Sequence, residues 1–195
     1  MRYLAIIGLL AVFSSAPHAN EPSKTMTTQQ STLFDFASAE SAQSWQIVND
    51  GVMGGLSQST MTVRENATAL FKGKISLENN GGFASVRTVP RLYNLEGYTG
   101  ITFKVKGDGK RYQFRIRTNN RFDGVAYRAE FDTKAGEWMN ITVPFADFVP
   151  VFRGRILSNV GAIDPRDILQ FGILVTNKKA DNFQLEVDWI KAYQN

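Results

Sequence analysis

The sequence contains no cysteine and only one histidine, and these two features narrow the chemistry open to the protein. Without cysteine there can be no disulfide, thiolate nucleophile or thiolate metal site. The histidine, His18, lies in an N-terminal segment that we predict is removed. The remaining chain would have no imidazole, which excludes a Ser-His-Asp hydrolase and a His-ligated zinc or iron site. Carboxylate, lysine and tyrosine chemistry and oxygen-ligated Ca²⁺ or Mg²⁺ stay open.

The first residues have the order of a secretory signal peptide. Arg2 precedes an apolar run at residues 4–13, and small residues lead to Ala19. The run is too short to cross a bilayer, and a mitochondrial transit peptide would be amphipathic and rich in arginine. The sequence therefore predicts a signal peptide over residues 1–19, cleaved near Ala19, and a secreted or periplasmic protein. The alternative is a buried N-terminal helix.

The rest of the chain predicts a single all-β domain. Residues 20–32 are polar and indicate a flexible linker, which places the domain at residues 33–195. Apolar and polar residues then alternate in short segments, as at Ile101, Phe103 and Val105, and no segment shows a sustained helical period. Many short strands bounded by turn residues predict a β-sandwich or barrel. The sequence GDG at residues 107–109 indicates a compact hairpin between two of these strands.

Two glycine pairs beside predicted strands mark candidate functional loops at residues 49–57 and 79–83. Glycine allows unusual backbone angles or lets another group approach the chain closely. The residues of these loops that we expect to contribute to binding are Asn49, Asp50, Met53, Gly54, Gly55, Asn80, Gly81 and Gly82. Met53 has two interpretations. It fills an irregular gap at the end of the core, which we favour, or it is exposed to contact an apolar partner.

A second candidate surface is a set of cations at outward positions of the central predicted strands. These cations are Lys104, Lys106, Arg115, Arg117 and Arg128, with Glu130 among them. If neighbouring strands align them, one sheet face is basic and suits acidic sugars, phosphate groups or an acidic protein. The alternative is an ordinary solvated face. The aromatic residues of these strands have the opposite, inward parity, so nucleic-acid binding is not expected.

Tryptophans and turn carboxylates supply further candidates. Trp45, Trp138 and Trp189 could each stack against a sugar ring, with packing in the core as the alternative. The carboxylates near turns or strand ends are Asp50, Asp108, Asp123, Asp164 and Asp188. A glycosidase would need two of them facing one cleft about 5–10 Å apart, whereas turn aspartates usually accept local backbone hydrogen bonds. No EF-hand ligand spacing is present, and we predict no metal site.

Six separate motifs resemble the CIA30 family, the NADH:ubiquinone oxidoreductase complex I intermediate-associated protein 30 family. They read NDGVMGGLS, ALFKGKISLENNGGFASVR, VKGDGKRYQFRIRT, YRAEF, WMNITVPFADFVPVFRGR and FGILVTNKKADNFQLEVDWIKAY, and the resemblance covers residues 33 to 193. It implies a galactose-binding-like β-sandwich, or jelly roll, the fold of many carbohydrate-binding modules, without a catalytic centre. It also implies kinship with eukaryotic assembly factors, chaperone-like proteins of mitochondrial complex I.

We therefore expect a non-catalytic secreted binding module, assembly-factor or chaperone-like, that holds an unidentified protein partner. The expected binding surface combines the two glycine loops with the basic face. We expect no cofactor, no nucleic acid and no membrane span. The alternative function is a carbohydrate-binding module for an envelope or extracellular glycan.

Overall fold

A computed structural model of the protein describes residues 29–176 and 179–194. This part of the chain is built from thirteen strands and five short 3₁₀ turns. The strands are β1 (Gln29–Phe34), β2 (Trp45–Ile47), β3 (Gln58–Val63), β4 (Ala69–Ile75), β5 (Phe83–Thr88), β6 (Gly100–Lys106), β7 (Arg111–Arg117), β8 (Ala126–Asp132), β9 (Trp138–Pro144), β10 (Val149–Phe152), β11 (Arg155–Ile156), β12 (Gln170–Thr176) and β13 (Asp181–Gln194). The 3₁₀ turns are Ala39–Ser44, Asp50–Met53, Glu78–Asn80, Phe145–Asp147 and Pro165–Asp167. No helix in the described ranges is long and apolar enough to span a bilayer.

The strands form two antiparallel sheets packed face to face, which confirms the predicted β-sandwich. The six-stranded sheet has the order β3-β4-β13-β6-β9, with β1 also paired to β13. The seven-stranded sheet has the order β11-β10-β8-β7-β12-β5-β2. Neighbours in each sheet are mostly distant in sequence, so the fold depends on long-range pairing.

The core lies between the sheets and is rich in aromatic rings. Phe103 of the six-stranded sheet stacks on Phe114 of the seven-stranded sheet, with ring centroids 4.7 Å apart. Ile101, Phe103 and Val105 are buried, as their alternation predicts. Burying each such side chain contributes about 1.5–3 kcal/mol to stability, so this central layer holds the two sheets together.

Two local expectations need correction. The hairpin predicted at residues 107–109 is wrong, because β6 and β7 belong to different sheets and this segment carries the chain from one sheet to the other. Strand β1 begins at Gln29, inside the linker predicted over residues 20–32, so pairing with β13 starts before residue 33. Residues 20–28 and the predicted signal peptide over residues 1–19 lie outside the described residues.

Candidate functional site

The outer face of the seven-stranded sheet carries a groove of about 670 Å³. Its floor consists of the outward residues of β5, β12, β7 and β8. Met53 and Phe83 line it toward the β2–β5 edge, and Phe122 lines it from the connection between β7 and β8. We call this feature the arginine groove, after the residues of its floor.

Three arginines lie in one row across the floor. Arg87 of β5 is directly opposite Gly172 of β12, which is opposite Arg115 of β7, which is opposite Arg128 of β8. Because Gly172 has no side chain, the floor between Arg87 and Arg115 is open. Arg117, two residues beyond Arg115 on β7, adds a fourth guanidinium to the lining.

Arg115 is oriented by a neutral partner. Its Nε and Nη2 both donate to Oε1 of Gln113, at 3.1 and 2.7 Å. Gln113 is buried, and its Nε2 donates to Glu130 at 3.2 Å. The guanidinium is therefore fixed in position, while the oxygen that accepts its hydrogen bonds belongs to an uncharged amide.

Arg87 and Arg117 are held in the same way by backbone carbonyls. Nη1 of Arg117 donates to the oxygen of Gly124 at 2.8 Å, and Nη1 of Arg87 donates to that of Phe122 at 3.0 Å. The Arg87 guanidinium also lies 4.7 Å from the centre of the Phe122 ring, a cation–π distance. These contacts give each arginine a fixed position without neutralising its charge.

The carboxylates near the groove pair with other arginines. Glu130 lies 3.4 Å from Arg128, and Asp123 forms a close ion pair with the exposed Arg153. Within residues 29–176 and 179–194, none of Arg87, Arg115 and Arg117 takes part in an ion pair. The groove therefore carries an excess of positive charge.

Burial and mutual repulsion make this arrangement unfavourable for the arginines. Burial, followed by repulsion from Arg117, Arg128 and Arg87, lowers the pKa of Arg115 to about 10. Burial and repulsion from Arg117 lower the pKa of Arg87 to about 10, although Asp123 acts in the opposite direction. Burial also lowers the pKa of Arg117, while Asp123 acts in the opposite direction. All three remain charged at neutral pH, and keeping unpaired charges partly buried reduces the stability of the fold.

The Asp50 carboxylate joins the two glycine-containing loops that the sequence marks, residues 49–57 and 79–83. Its side chain is fully buried, and its carboxylate accepts four hydrogen bonds. The donors are the backbone N–H of Ser57 at 2.9 Å, the Ser57 hydroxyl at 2.5 Å, and the N–H groups of Gly82 and Phe83 at 2.7 and 3.2 Å. Burial disfavours the charged carboxylate, but these hydrogen bonds outweigh it and lower the pKa of Asp50. One side chain thus ties loop 49–57 to loop 79–83.

Two glycines are required by this carboxylate. A Cβ added to Gly55 would lie 2.4 Å from Cγ of Asp50, and one added to Gly81 would lie 2.6 Å from its Oδ2. Gly54 ends the 3₁₀ turn Asp50–Met53 at a φ of 89°, which favours glycine. The glycines therefore pack the loops around Asp50, which accounts for their positions in the sequence.

The other loop residues divide between support and exposure. Oδ1 of Asn49 accepts from the backbone N–H of Ser85 and from the hydroxyl of Ser59, at 3.2 and 2.8 Å. Asn80 is exposed and adopts a left-handed backbone with a φ of 60°, whereas Gly82 is buried. Asn49 is therefore a structural support for strand β5, and Asn80 forms the tip of its loop.

Met53 does not fill the core. Met53 is 59% exposed and lines the arginine groove together with Val52, which is 56% exposed. The interpretation of Met53 as a core filler is wrong, because Asp50 is the residue of this 3₁₀ turn that is buried. The turn therefore presents Met53 and Val52 to solvent.

The predicted basic face is only partly assembled. Arg115, Arg117 and Arg128 share the groove, but Lys104 and Lys106 lie on β6, in the opposite sheet. There Lys104 pairs with Asp188 and Lys106 with Glu186, each at 2.8 Å. The prediction that these lysines join the arginines is wrong, because outward parity within a strand does not reveal which sheet contains the strand.

Glu186 is the centre of the polar cluster on that opposite face. It is buried, and burial disfavours its charge, but hydrogen bonds from Lys106, Thr68 and Asn66 lower its pKa to about 2. The Thr68 hydroxyl donates to it at 2.6 Å. Lys106 and, at 3.4 Å, Arg64 both pair with this carboxylate, so each of these cations has an anionic partner, unlike the three guanidiniums held by neutral oxygens in the groove.

None of the three tryptophans, all within the described residues, lines the groove. Trp45 is buried in the core against Phe34, with ring centroids 5.0 Å apart. Trp138, on β9, lies beneath the ammonium groups of Lys104 and Lys106, and Trp189 beneath that of Lys191. These rings have local partners in the protein.

The turn carboxylates have local partners too. Asp108 accepts from Tyr112 and pairs with Lys110, and Asp164 accepts from Arg166. In the part of the chain that the structure describes, no group of three acidic side chains is placed to hold a metal ion.

Sequence reasoning missed several residues of the groove, among them Arg87, Gln113, Phe122 and Arg153. Arg87 had an available signal, since it follows Phe83 and Ser85 at the outward positions of an alternating segment. Gln113 had one too, since it shares the outward parity of Arg115 on β7, whereas Phe122 and Arg153 depend on which strands and loops are adjacent. Their assignment needed the sheet order.

The fold and the motifs agree with a comparison with protein families. The family described as complex I intermediate-associated protein 30 (CIA30) has a sequence profile that matches residues 34–187. The chain belongs to the CIA30 family. This confirms the resemblance carried by the six motifs, and the CIA30 domain accounts for most of the described structure.

Curated relatives extend the comparison. The mitochondrial complex I intermediate-associated protein 30 of Drosophila melanogaster is 27% identical over 180 residues, covering 81% of this chain and 61% of that protein. The Mus musculus protein is 23% identical over 197 residues, covering 91% of this chain and 60% of that protein. An uncharacterized protein of Schizosaccharomyces pombe is 28% identical, with 77% and 78% covered. The chain thus spans about 60% of the length of the fly and mouse relatives.

Solved structures support the fold alone. A family 11 carbohydrate-binding module of the Clostridium thermocellum cellulase Lic26A-Cel5E has a TM-score of 0.61 at 16% identity, covering 84% of this chain and 94% of that module. The agarase AgWH50C has a TM-score of 0.56 at 14% identity, covering 84% of this chain and 24% of that enzyme. At these identities the similarity establishes the β-sandwich and carries no information about a ligand.

The relatives overturn one expectation. The fly, mouse and Neurospora crassa proteins are named mitochondrial. Their names contradict the predicted signal peptide and the secreted or periplasmic location. A low arginine content in the first residues is therefore not a sufficient ground for excluding a mitochondrial protein.

Proposed function

We propose that this CIA30 domain is a non-catalytic assembly factor that holds a protein partner in the arginine groove. Several relatives are named for their association with an intermediate of complex I, which supports an assembly role for this chain. The partner would then be a subunit or a partly assembled intermediate of that complex. The chain matches only about 60% of the length of the fly and mouse relatives, so we restrict the proposal to the groove on the domain that they share.

The observation that carries the proposal is the open groove with its fixed, unpaired guanidiniums. Arg87, Arg115 and Arg117 are held by neutral oxygens, and their charges reduce the stability of the isolated domain. The exposed side chain of Met53 adds apolar surface beside them. Groups that are fixed, charged and unsatisfied in the free protein are typical of a binding surface.

A complementation experiment tests the assembly role. The gene for this chain is deleted in the organism that encodes it, and mature complex I and its assembly intermediates are quantified on native gels. We expect mature complex I to fall and intermediates to accumulate, with recovery on expression of the full wild-type chain. Unchanged amounts of complex I and its intermediates after deletion would show that the proposed function is wrong.

A glycan-binding function is the weaker alternative. Sugar-binding sandwiches stack sugar rings on exposed aromatic side chains, and the three tryptophans have other partners in this structure. Calorimetric titration of the protein with neutral β-glucans should give no heat of binding. A saturable signal that is lost in a Trp138→Ala or Trp189→Ala variant would favour the glycan alternative.

A further inference from the structure

We propose that the arginine groove binds an acidic polypeptide segment of the partner, with carboxylate side chains on the guanidiniums and apolar side chains beside Met53 and Phe122. The inference rests on the proposed function in one respect, namely that the ligand is a protein. Charge complementarity identifies the segment as acidic, and the apolar surface at the groove identifies it as partly hydrophobic.

The guanidiniums offer free hydrogen-bond donors. Arg115 uses two of its donors on Gln113, and Arg87 and Arg117 each use a donor of Nη1 on a backbone oxygen. A guanidinium has five N–H donors in a rigid plane, so donors remain on each of the three arginines. A carboxylate accepts two such bonds side by side, which is the geometry that arginine recognises best.

The spacing of the floor suits more than one carboxylate. Arg87 and Arg115 lie on strands separated by one strand, β12, so their backbones are roughly 10 Å apart at the usual strand spacing. In an extended segment, side chains two residues apart point the same way and are separated by about 7 Å. Acidic residues at alternate positions of a partner can therefore reach different arginines of the row.

The apolar part of the groove argues against a small anion as the intended ligand. Met53 and Phe122 are 59% and 62% exposed, and both line the groove. An inorganic anion would contact the guanidiniums alone and leave these side chains in water. A segment that presents both acidic and apolar side chains on one face, at successive alternate positions, would cover both, and the volume of about 670 Å³ is within the usual range of ligand sites.

The test uses a fluorescent synthetic peptide, titrated with the full chain, that carries Glu, Glu, Leu and Leu at successive alternate positions with Ser between them, so that in an extended segment all four side chains share one face. The control peptide carries Gln in place of Glu. We expect saturable binding of the acidic peptide that weakens steeply as salt is raised, and at least tenfold weaker binding of the Gln peptide. Equal binding of the two peptides would overturn the proposal.

Variants locate the site. Arg115→Gln and Arg117→Gln should each weaken binding about tenfold or more, since each removes hydrogen bonds to a charged group. Arg166→Gln removes the same charge from an exposed position that pairs with Asp164, and should change the affinity less than about twofold. The groove variants remove mutually repulsive charges, so we expect them to fold. Circular dichroism checks this. An equal effect of all three variants would mean that net charge alone attracts the peptide, and the proposal would fail.

Competition distinguishes the ligand classes. Inorganic phosphate and polygalacturonate are added to the complex of protein and peptide. We expect phosphate to compete only at concentrations where sodium chloride of equal ionic strength does the same, and polygalacturonate to compete more weakly than unlabelled peptide. Specific displacement by either would assign the groove to that anion instead. If the peptide fails to bind while deletion of the gene still impairs complex I, the proposed function stands and this inference is wrong.

Discussion

Replacement of Asp50 by asparagine should separate the two glycine loops without changing the size of the side chain. In the native domain Oδ1 accepts from the N–H of Ser57, and Oδ2 accepts from Gly82, Phe83 and the Ser57 hydroxyl. The amide of asparagine keeps only one oxygen. Whichever orientation it adopts, its NH₂ group faces at least one backbone N–H donor.

The expected loss of stability follows from these contacts. A buried donor left without a partner costs about 1–3 kcal/mol, and the remaining hydrogen bonds lose the contribution of the charged acceptor. We therefore expect Asp50→Asn to lower the free energy of unfolding by about 2–4 kcal/mol. For a domain of this size the midpoint of thermal unfolding should fall by roughly 5–15 °C.

Urea denaturation followed by tryptophan fluorescence measures the effect, since the buried Trp45 reports on the core. Asp167→Asn is the matched control, because Asp167 is exposed, and it should stay within about 0.5 kcal/mol of the wild type. A loss below 0.5 kcal/mol in Asp50→Asn would refute the view that this carboxylate holds the loops together.

Three further predictions follow from the same contacts. Gly55→Ala should destabilise the domain by about 1–3 kcal/mol, because the added Cβ would collide with the Asp50 carboxylate. Gly51→Ala is the control and should be nearly neutral, because a Cβ at Gly51 would meet no atom within 4 Å. Equal shifts of the urea midpoint in the two variants would contradict this. Met53→Ala should leave the free energy of unfolding within about 0.5 kcal/mol of the wild type, because Met53 is exposed. A loss of about 2–5 kcal/mol would instead support the interpretation that Met53 packs in the core. Glu186, with a pKa of about 2 in the fold, contributes stability that is complete above its unfolded pKa of about 4.3 and is lost as the pH falls toward 2. Glu186→Gln should therefore flatten the pH dependence of the urea midpoint between about pH 5 and 2, and an unchanged slope would contradict the assignment.

The fold was predictable where alternation is regular and neighbouring residues decide the structure. The alternation of Ile101, Phe103 and Val105 predicted a strand with one buried face, and these residues are buried. Asp164 before Pro165 lies at the start of a 3₁₀ turn, where its side chain accepts from the backbone N–H of Arg166. Such features depend on local geometry, which the sequence specifies directly.

The site was only partly predictable because it depends on the order of strands within the sheets. The sequence identified Arg115, Arg117 and Arg128 as outward cations, and the groove contains all three. It could not exclude Lys104, because parity is the same in either sheet. Arg87 had a local signal as an outward residue of β5, but its place in the same row as Arg115 follows only from the position of β12 between their strands.

The most direct test of the account is an NMR titration of the full chain with the same peptide, which carries Glu and Leu on one face, observing arginine Nε–Hε signals. If the groove is the binding surface, the signals of Arg87, Arg115 and Arg117 shift and saturate together, while those of Arg64 and Arg166, outside the groove, remain in place. Saturable shifts confined to Arg64 and Arg166, or no saturable shift in the groove arginines, would contradict the central claim.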